Sequence, residues 1–358
     1  LPPAQPERFM MHALRMAGPR QLVVDHAAPS PTPGPQDAVV RVWYSSLCGT
    51  DLHALRDELP GFRWGGISGH EAVGEVVAVG AEVKRRHPGD VVVVSDVVAC
   101  GQCRACERGY HYQCDRVGLF GYGTVVGDIA YDGTHAEFMR VPFADTVLVP
   151  LPEGIDPRVG LLAADALSTA YQAVKAAGVV EGHSCAVVGA GPVGLLSASV
   201  ARALGAARVV VIDPILRRRE VAAREVADVA WHPDEAADNG EVFDACIEAV
   251  GSNAALLQCC LLVGPHSVVS VVGSNPSEAS PVPATRLFAQ EATLRWVVGN
   301  PILAAGRALR LMAQAATAPT FVFDSSCELV RTPQLLPAFD AGELVKILIH
   351  NAPDGGCQ

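Results

Sequence analysis

Ala186-Val187-Val188-Gly189-Ala190-Gly191-Pro192-Val193-Gly194-Leu195 decides the fold of the second half of this chain. An apolar run ends in G-x-G-x-x-G and continues into residues 195–204, which read as a helix. In that context Gly189 permits a tight turn, Gly191 lets backbone approach a pyrophosphate, and Gly194 lets helix pack on strand. The helix N-terminus then faces the phosphates across the loop that Pro192 and Val193 complete. Without the strand before it and the helix after it, the same pattern would be an ordinary glycine-rich turn. Asp213 closes the next apolar run, Val209-Val210-Val211-Ile212. A carboxylate there accepts hydrogen bonds from the adenosine ribose and repels a 2′-phosphate, so NAD is expected over NADP. Arg217, Arg218 and Arg219 follow, either as a solvated first helical turn or, through Arg218, as part of a clamp on the cofactor.

Outward from this motif, residues 163–177 have helical composition, and residues 185–188, 207–212, 245–249 and 267–272 are strand candidates with helical stretches between them. That alternation predicts a doubly wound parallel sheet covered on both faces. Residues 11–149 differ in texture. Short valine-rich segments such as 38–42, 74–79 and 91–94, punctuated by Gly and Pro, predict a small β-rich, barrel-like domain. Residues 304–316 read as a helix and 320–323 and 344–349 as strands, a tail expected to return to the first domain. The α/β chain is therefore expected to divide into a catalytic domain of residues 11–160 and 300–358 and a dinucleotide-binding domain of residues 161–299.

At 358 residues the chain exceeds the usual size of a single core. Its formal charge of -11 argues against nucleic acid or an anionic membrane as partner, since both need clustered cations, and leaves a small molecule as the expected one. The uncharged stretch 254–277 is interrupted by Gln258, by Gly264-Pro265-His266 and by serines, so it reads as a buried helix, a turn and a core strand and not as a membrane span. Cys185, Cys246, Cys259 and Cys260 lie in apolar runs and fit the reduced thiols of a cytoplasmic protein. The proline-rich residues 1–9 read as an extension, with Met10 or Met11 as the natural start.

Two groups of residues suit metal. Cys100, Cys103, Cys106 and Cys114 read C-x2-C-x2-C-x7-C, four soft thiolates in one loop, the closed tetrahedral arrangement of a structural zinc. Four thiolates on one dication leave negative charge, which some of Arg104, Arg108 and Arg116, with backbone amides, are expected to offset. Cys48, His70 and Asp165 mix sulfur, nitrogen and oxygen, and three ligands leave the fourth position open, as in a catalytic zinc. In Cys48-Gly49-Thr50-Asp51-Leu52-His53 a hydroxyl and an imidazole follow the thiolate at a spacing suited to a proton relay to solvent. Glu71, beside His70, is expected behind the metal or as a transient ligand.

On C-G-T-D-L-H at 48–53, G-H-E-A-V-G-E-V-V-A-V-G at 69–80, the cysteine ladder and G-A-G-P-V-G at 189–194, the chain resembles the zinc-dependent medium-chain alcohol dehydrogenases over residues 11–349. The resemblance implies a GroES-like catalytic domain, a Rossmann cofactor domain with the active site in the cleft between them, and reversible oxidation of an alcohol to an aldehyde or ketone. It also implies a homodimer or homotetramer. Many members use cysteine as the third catalytic ligand. Asp165 stands there instead, as in microbial secondary-alcohol and formaldehyde-type members; a carboxylate carries the same charge, so the Lewis acidity should survive. The alternative for Asp165 is a buried helix N-cap. Thr169 matches a family position near the nicotinamide, and Lys346 a basic residue near the cofactor phosphates. Leu119-Phe120-Gly121-Tyr122-Gly123 is similar to formaldehyde-dehydrogenase-like members; Leu119, Phe120 and Trp64 suit either the substrate pocket or the apolar core. An NADP-preferring aldehyde reductase and a redox-inactive NAD-binding regulatory protein remain the rival readings.

Overall fold

The computed structural model describes residues 9–275, 277 and 279–351. These form two compact units. The first holds the described residues up to Asp165, Asn300–Gly306 and those from Phe323 onward; the second holds Ala166–Gly299 and Arg307–Val322. Residues 307–322, grouped with the catalytic part on sequence, thus cluster with the second unit.

The second unit is a six-stranded sheet of β1 (Ser184–Val188), β2 (Arg208–Ile212), β3 (Val229–Trp231), β4 (Phe243–Glu248), β5 (Val263–Val271) and β6 (Thr293–Trp296). All pairings are parallel and the spatial order is 3-2-1-4-5-6. The order reverses between β1 and β4, the point at which doubly wound sheets bind ligands. Val209, Val210, Val211 and Ile212 are all fully buried, so β2 is covered on both faces as its unbroken apolar run requires. The helix Pro192–Ala203 starts immediately after the glycine motif with Pro in its first turn, where a missing N–H costs nothing. The helix Asn253–Leu262 runs directly into β5. The expected turn at Gly264-Pro265-His266 is therefore an irregularity inside that strand, with His266 at φ 59°.

In the first unit, the strands Ser325–Glu328, Ile347–His350, Ala38–Leu47, Ala72–Val79, Val91–Val94 and Leu148–Pro150 neighbour one another in that order, and Phe138–Val141 also pairs with Ala38–Leu47. Ile347–His350 lies antiparallel to Ala38–Leu47, so the C-terminal strand does join the β-rich unit. Residues 320–323 were expected as a strand, but Thr320–Val322 is a 3-10 turn. The expected single helix over 163–177 is two, Pro157–Ala163 and Ala166–Ala176, broken at Ala164-Asp165. No helix among the described residues is long and apolar enough to cross a membrane.

Candidate active site

Three separate parts of the first unit converge. Cys48 ends the central strand and begins the helix Gly49–Leu55; His70 and Glu71 lead into the strand Ala72–Val79; Asp165 sits at the helix break. Each of the four offers a donor atom, and these atoms all lie within 4.8 Å of one another. Gly69 makes the turn before His70 at φ +89°, and a β-carbon there would collide with the ring of buried His135.

His70 Nε2 and Glu71 Oε1 are buried without a hydrogen-bond partner, although His70 Nε2 is 3.6 Å from Asp165 Oδ2. Buried polar atoms without partners are rare because desolvating them is costly. A thiolate, an imidazole nitrogen and a carboxylate around such atoms form a donor set that fits a divalent zinc-like cation.

The groups behind the donors fix their orientation. His70 Nδ1 lies 3.2 Å from the Tyr122 hydroxyl and 3.5 Å from Asp51 Oδ1, and Tyr122 donates to Asp51 Oδ1 at 3.1 Å. A proton held on Nδ1 leaves the Nε2 lone pair facing the other donors. Asp51 also accepts from the Cys48 amide at 2.9 Å, so one carboxylate steadies two of the four donors. Burial raises the Asp51 pKa, but His70, His135 and the Cys48 amide outweigh it and hold the carboxyl at about 2. Burial works to lower the His70 pKa, yet Tyr122, Asp51 and Asp165 hold it well above its ordinary value in the metal-free chain. A cation must displace that proton.

Glu71 is fully buried, accepts from Ser46 Oγ, and meets Lys346 Nζ at 2.5 Å. Lys346 is likewise fully buried. Burial lowers its pKa, but Cys48, Glu71 and Asp165 more than compensate and keep it charged. The expectation that Lys346 reaches for cofactor phosphates is thus corrected: its ammonium is enclosed as the counter-charge of Glu71. His135 extends the network, with Nδ1 2.9 Å from Ser68 Oγ and Nε2 3.1 Å from the Ser46 carbonyl. Burial lowers its pKa, so it is neutral, donating to the carbonyl and accepting from the serine.

Thr50 and His53 lie on exposed positions of the helix that Cys48 begins. His53 Nδ1 is 2.6 Å from Glu58 Oε2. Phe120, a pocket candidate on sequence, is instead fully buried in the β-rich core with Val40, Val76 and Val92, while Leu119 and Trp64 are partly buried against a second core cluster. The residues missed on sequence are Asp51, Tyr122, His135 and Asp96; the first lay inside the C-G-T-D-L-H motif and needed only its spacing to His70 in space. Burial and the adjacent Asp165 carboxylate push the Asp96 carboxyl up to about 8.

Cys100, Cys103, Cys106 and Cys114 bring their sulfurs within 4.8 Å of one another, the closed donor set the ladder predicted. The amides of Cys100 and Arg116 donate to Cys114 Sγ at 3.2 and 3.3 Å. Backbone amides thus offset thiolate charge as expected, but the arginines do not form the cage: Arg104, Arg108 and Arg116 are exposed, and the Arg116 guanidinium stacks on Phe143 at 5.7 Å.

In the second unit Gly189 turns at φ +103°, and a β-carbon on Gly194 would collide with the Gly189 carbonyl oxygen, whereas one on Gly191 would meet nothing within 4 Å. That open face is where a pyrophosphate needs backbone access. A cleft of ≈ 690 Å³ runs beside it, lined by Val188, Gly189, Ile212, Pro214, Ser252 and Arg286 among others. Asp213 is buried and accepts from the amides of Ala190 and Ile215, both at 2.8 Å, which ties the glycine loop to β2. Arg218 lies 4.0 Å from its carboxylate, and Arg219 donates to the Asp213 and Pro214 carbonyls. Thr169 is buried in the helix Ala166–Ala176, where Gly299 packs close against its hydroxyl.

This fold and donor set define a two-unit, metal-binding, dinucleotide-binding dehydrogenase. Residues 34–153 match the alcohol dehydrogenase GroES-like domain, and residues 192–314 match the zinc-binding dehydrogenase family. An L-threonine 3-dehydrogenase of Pyrococcus abyssi is 35% identical over 268 residues, covering 70% of this chain and 72% of that relative. The alcohol dehydrogenase TADH from Thermus sp. ATN1 superposes with a TM-score of 0.89 at 34% identity, covering 95% of this chain and 99% of that one. A zinc-binding dehydrogenase-type protein of Sinorhizobium meliloti 1021, solved bound to NADP, superposes with a TM-score of 0.84 at 26% identity, covering 96% and 100%. The chain belongs to the zinc-dependent medium-chain dehydrogenases, an oxidoreductase family with a GroES-like domain and a Rossmann domain.

Proposed function

We propose that the chain is a zinc-dependent alcohol dehydrogenase that transfers hydride reversibly between an alcohol, with its aldehyde or ketone, and NAD(H). The observation that carries this reading is the convergence of Cys48, His70 and Asp165, with Glu71, around two buried atoms, His70 Nε2 and Glu71 Oε1, that lack hydrogen-bond partners. Cys48, His70 and Asp165 would hold a catalytic zinc, and the four lobe cysteines a structural one. The bound metal would supply Lewis acidity, lowering the pKa of an alcohol hydroxyl. Cys48 and Asp165 would bring two negative charges to a dication and Lys346 balances Glu71, so the Asp51 carboxylate behind His70 is left as the net charge of the enclosed centre. Thr50 and His53, on one helix face, would pass the released proton outward, with Glu58 holding the imidazole. Glu71 would act from behind the metal during ligand exchange.

Gly189, Gly191, Pro192, Val193 and Gly194 would hold the pyrophosphate, Asp213 and Arg218 the adenosine ribose, and Thr169 the nicotinamide end. The Asp213 carboxylate favours NAD. Arg218 beside it supports a second reading, an NADP-preferring aldehyde reductase. We place the protein in the cytoplasm as a homodimer or homotetramer acting on a small alcohol or aldehyde. A panel of alcohols and aldehydes followed by NADH and NADPH absorbance tests the reading: NAD-linked turnover supports it, preference for NADP supports the second, and no turnover of any substrate by zinc-loaded protein favours a redox-inactive regulator.

A further inference from the structure

We propose that Tyr112 and Asp96 are positioning residues for Asp165, through which the four-cysteine lobe holds a ligand of the other metal site in place. The inference rests on the reading of Asp165 as a ligand.

Tyr112 lies in the one-turn helix His111–Gln113, immediately before Cys114. The lobe has little core of its own: Ala99, Cys106 and Cys114 are its buried apolar residues, with Ile302 packed against them. Its placement therefore depends on a few polar ties. On one flank His111 Nδ1 lies 3.0 Å from Asn300 Oδ1, and Asn300 donates to the Gly109 carbonyl at 2.9 Å. On the other, the Tyr112 hydroxyl donates to Asp96 Oδ2 at 2.8 Å.

Asp96 is only 5% exposed, between the strands Val91–Val94 and Val97–Val98. Its amide donates to the Ala164 carbonyl at 3.2 Å, the peptide group that leads into Asp165, and its own carbonyl accepts from Phe120. One residue thus grips the lobe with its side chain and the ligand-bearing turn with its backbone. Asp165 sits where two helices break, so the direction of its carboxylate is set by that turn. Asp96 Oδ1 is buried without a well-formed hydrogen bond, which leaves the Tyr112 hydroxyl as the principal anchor of the carboxyl group. Removing that hydroxyl takes away the carboxyl group's principal partner and leaves only the Val97 amide bond beside it, and relaxation of Asp96 moves the Ala164 peptide it binds. Groups that orient metal ligands from behind commonly change metal affinity ten- to a hundred-fold.

The test uses zinc-loaded full chain carrying Tyr112→Phe, which keeps the ring and all four thiolates. Metal per chain is followed during a timed chelator challenge, and the absorption bands of cobalt exchanged into the mixed-donor site are recorded. The proposal expects the mixed-donor metal to leave about ten-fold faster or more, with the four-thiolate metal retained and the cobalt bands shifted. Asp96→Ala should reproduce the effect, and Asp96→Asn, which keeps an acceptor for Tyr112, should restore near-normal retention. A variant that melts earlier but holds its metal and its cobalt spectrum unchanged overturns the proposal. His70→Ala is the control. If it loses one metal while Tyr112→Phe behaves as wild type, only the coupling is wrong; if it loses none, the metal centre itself is misassigned and the proposal falls with it.

Discussion

Lys346 Nζ and Glu71 Oε2 meet at 2.5 Å with neither side chain exposed to solvent, across 275 residues of sequence. Each charge is tolerated in the interior because the other is there. Lys346→Met leaves the carboxylate buried without its partner and should destabilise the first unit by about 3–5 kcal/mol. Adding Glu71→Gln should recover part of that loss. Urea denaturation of the single and double variants measures both, and an unchanged midpoint for Lys346→Met would remove the pair from the account.

Asp51 supports His70 through Tyr122 and binds the Cys48 amide, so Asp51→Asn should weaken metal binding about ten- to a hundred-fold in competition with a chelator.

Asp51 should also leave a mark on acid stability. Its folded pKa, about 2, lies below the ordinary 3.8, so its contribution is complete above pH ~4 and is lost as pH falls toward 2. For metal-free protein that contribution is on the order of 2 kcal/mol. Urea midpoints at a series of acidic pH values should therefore fall less steeply in Asp51→Asn than in wild type, and parallel curves would show that the carboxylate carries no such linkage.

The lobe should respond to pH in a different window. Bonds from the Cys106 and Asp115 amides lower the Cys103 thiol to about 6, against an ordinary 9.0, while burial and neighbouring sulfurs push Cys106 and Cys114 up, so a metal must displace protons from those two but finds a thiolate at Cys103. The folded-state advantage of Cys103 is complete above pH ~9 and disappears as pH falls through ~6. Metal retained by the four cysteines should therefore fall progressively as pH drops below neutrality and protons compete for the sulfurs, a profile that elemental analysis after equilibration at each pH would record. Retention that is flat down to pH 5 would contradict it.

Asp213→Asn keeps an acceptor for only one of the Ala190 and Ile215 amides, which bond to different carboxylate oxygens, and removes the charge proposed to face a ribose. The ratio of kcat/KM for NAD to that for NADP should fall about ten-fold, the worth of one charge-assisted hydrogen bond. Steady-state kinetics with both cofactors measures the ratio, and no change would mean that Asp213 serves the loop alone.

What was legible in the sequence was chemistry that demands fixed residue types at fixed short spacing: the glycine loop, the cysteine ladder, and Cys48 and His70 in their local motifs. Alternating apolar runs likewise announced four of the six strands of the parallel sheet. β3 and β6 escaped because they are edge strands of only three and four residues, too short for a period to show. The helix break at Ala164-Asp165 was hidden because alanine-rich, helix-favouring sequence flanks it on both sides. Phe120 could not be assigned on sequence because a pocket wall and a core need the same side chain. Lys346 and Asp96 were opaque for a further reason: their partners lie far away in sequence, and neither residue type signals by itself that it will be buried.

The most direct test is His70→Ala, assayed for metal content, dinucleotide binding and alcohol-dependent NADH formation in one preparation. The account predicts that zinc falls from two per chain to one, that cofactor binding measured by NADH fluorescence persists, and that turnover is lost. A variant that keeps both metals, or that oxidises alcohols at the wild-type rate, would contradict the assignment of the centre built on Cys48, His70 and Asp165.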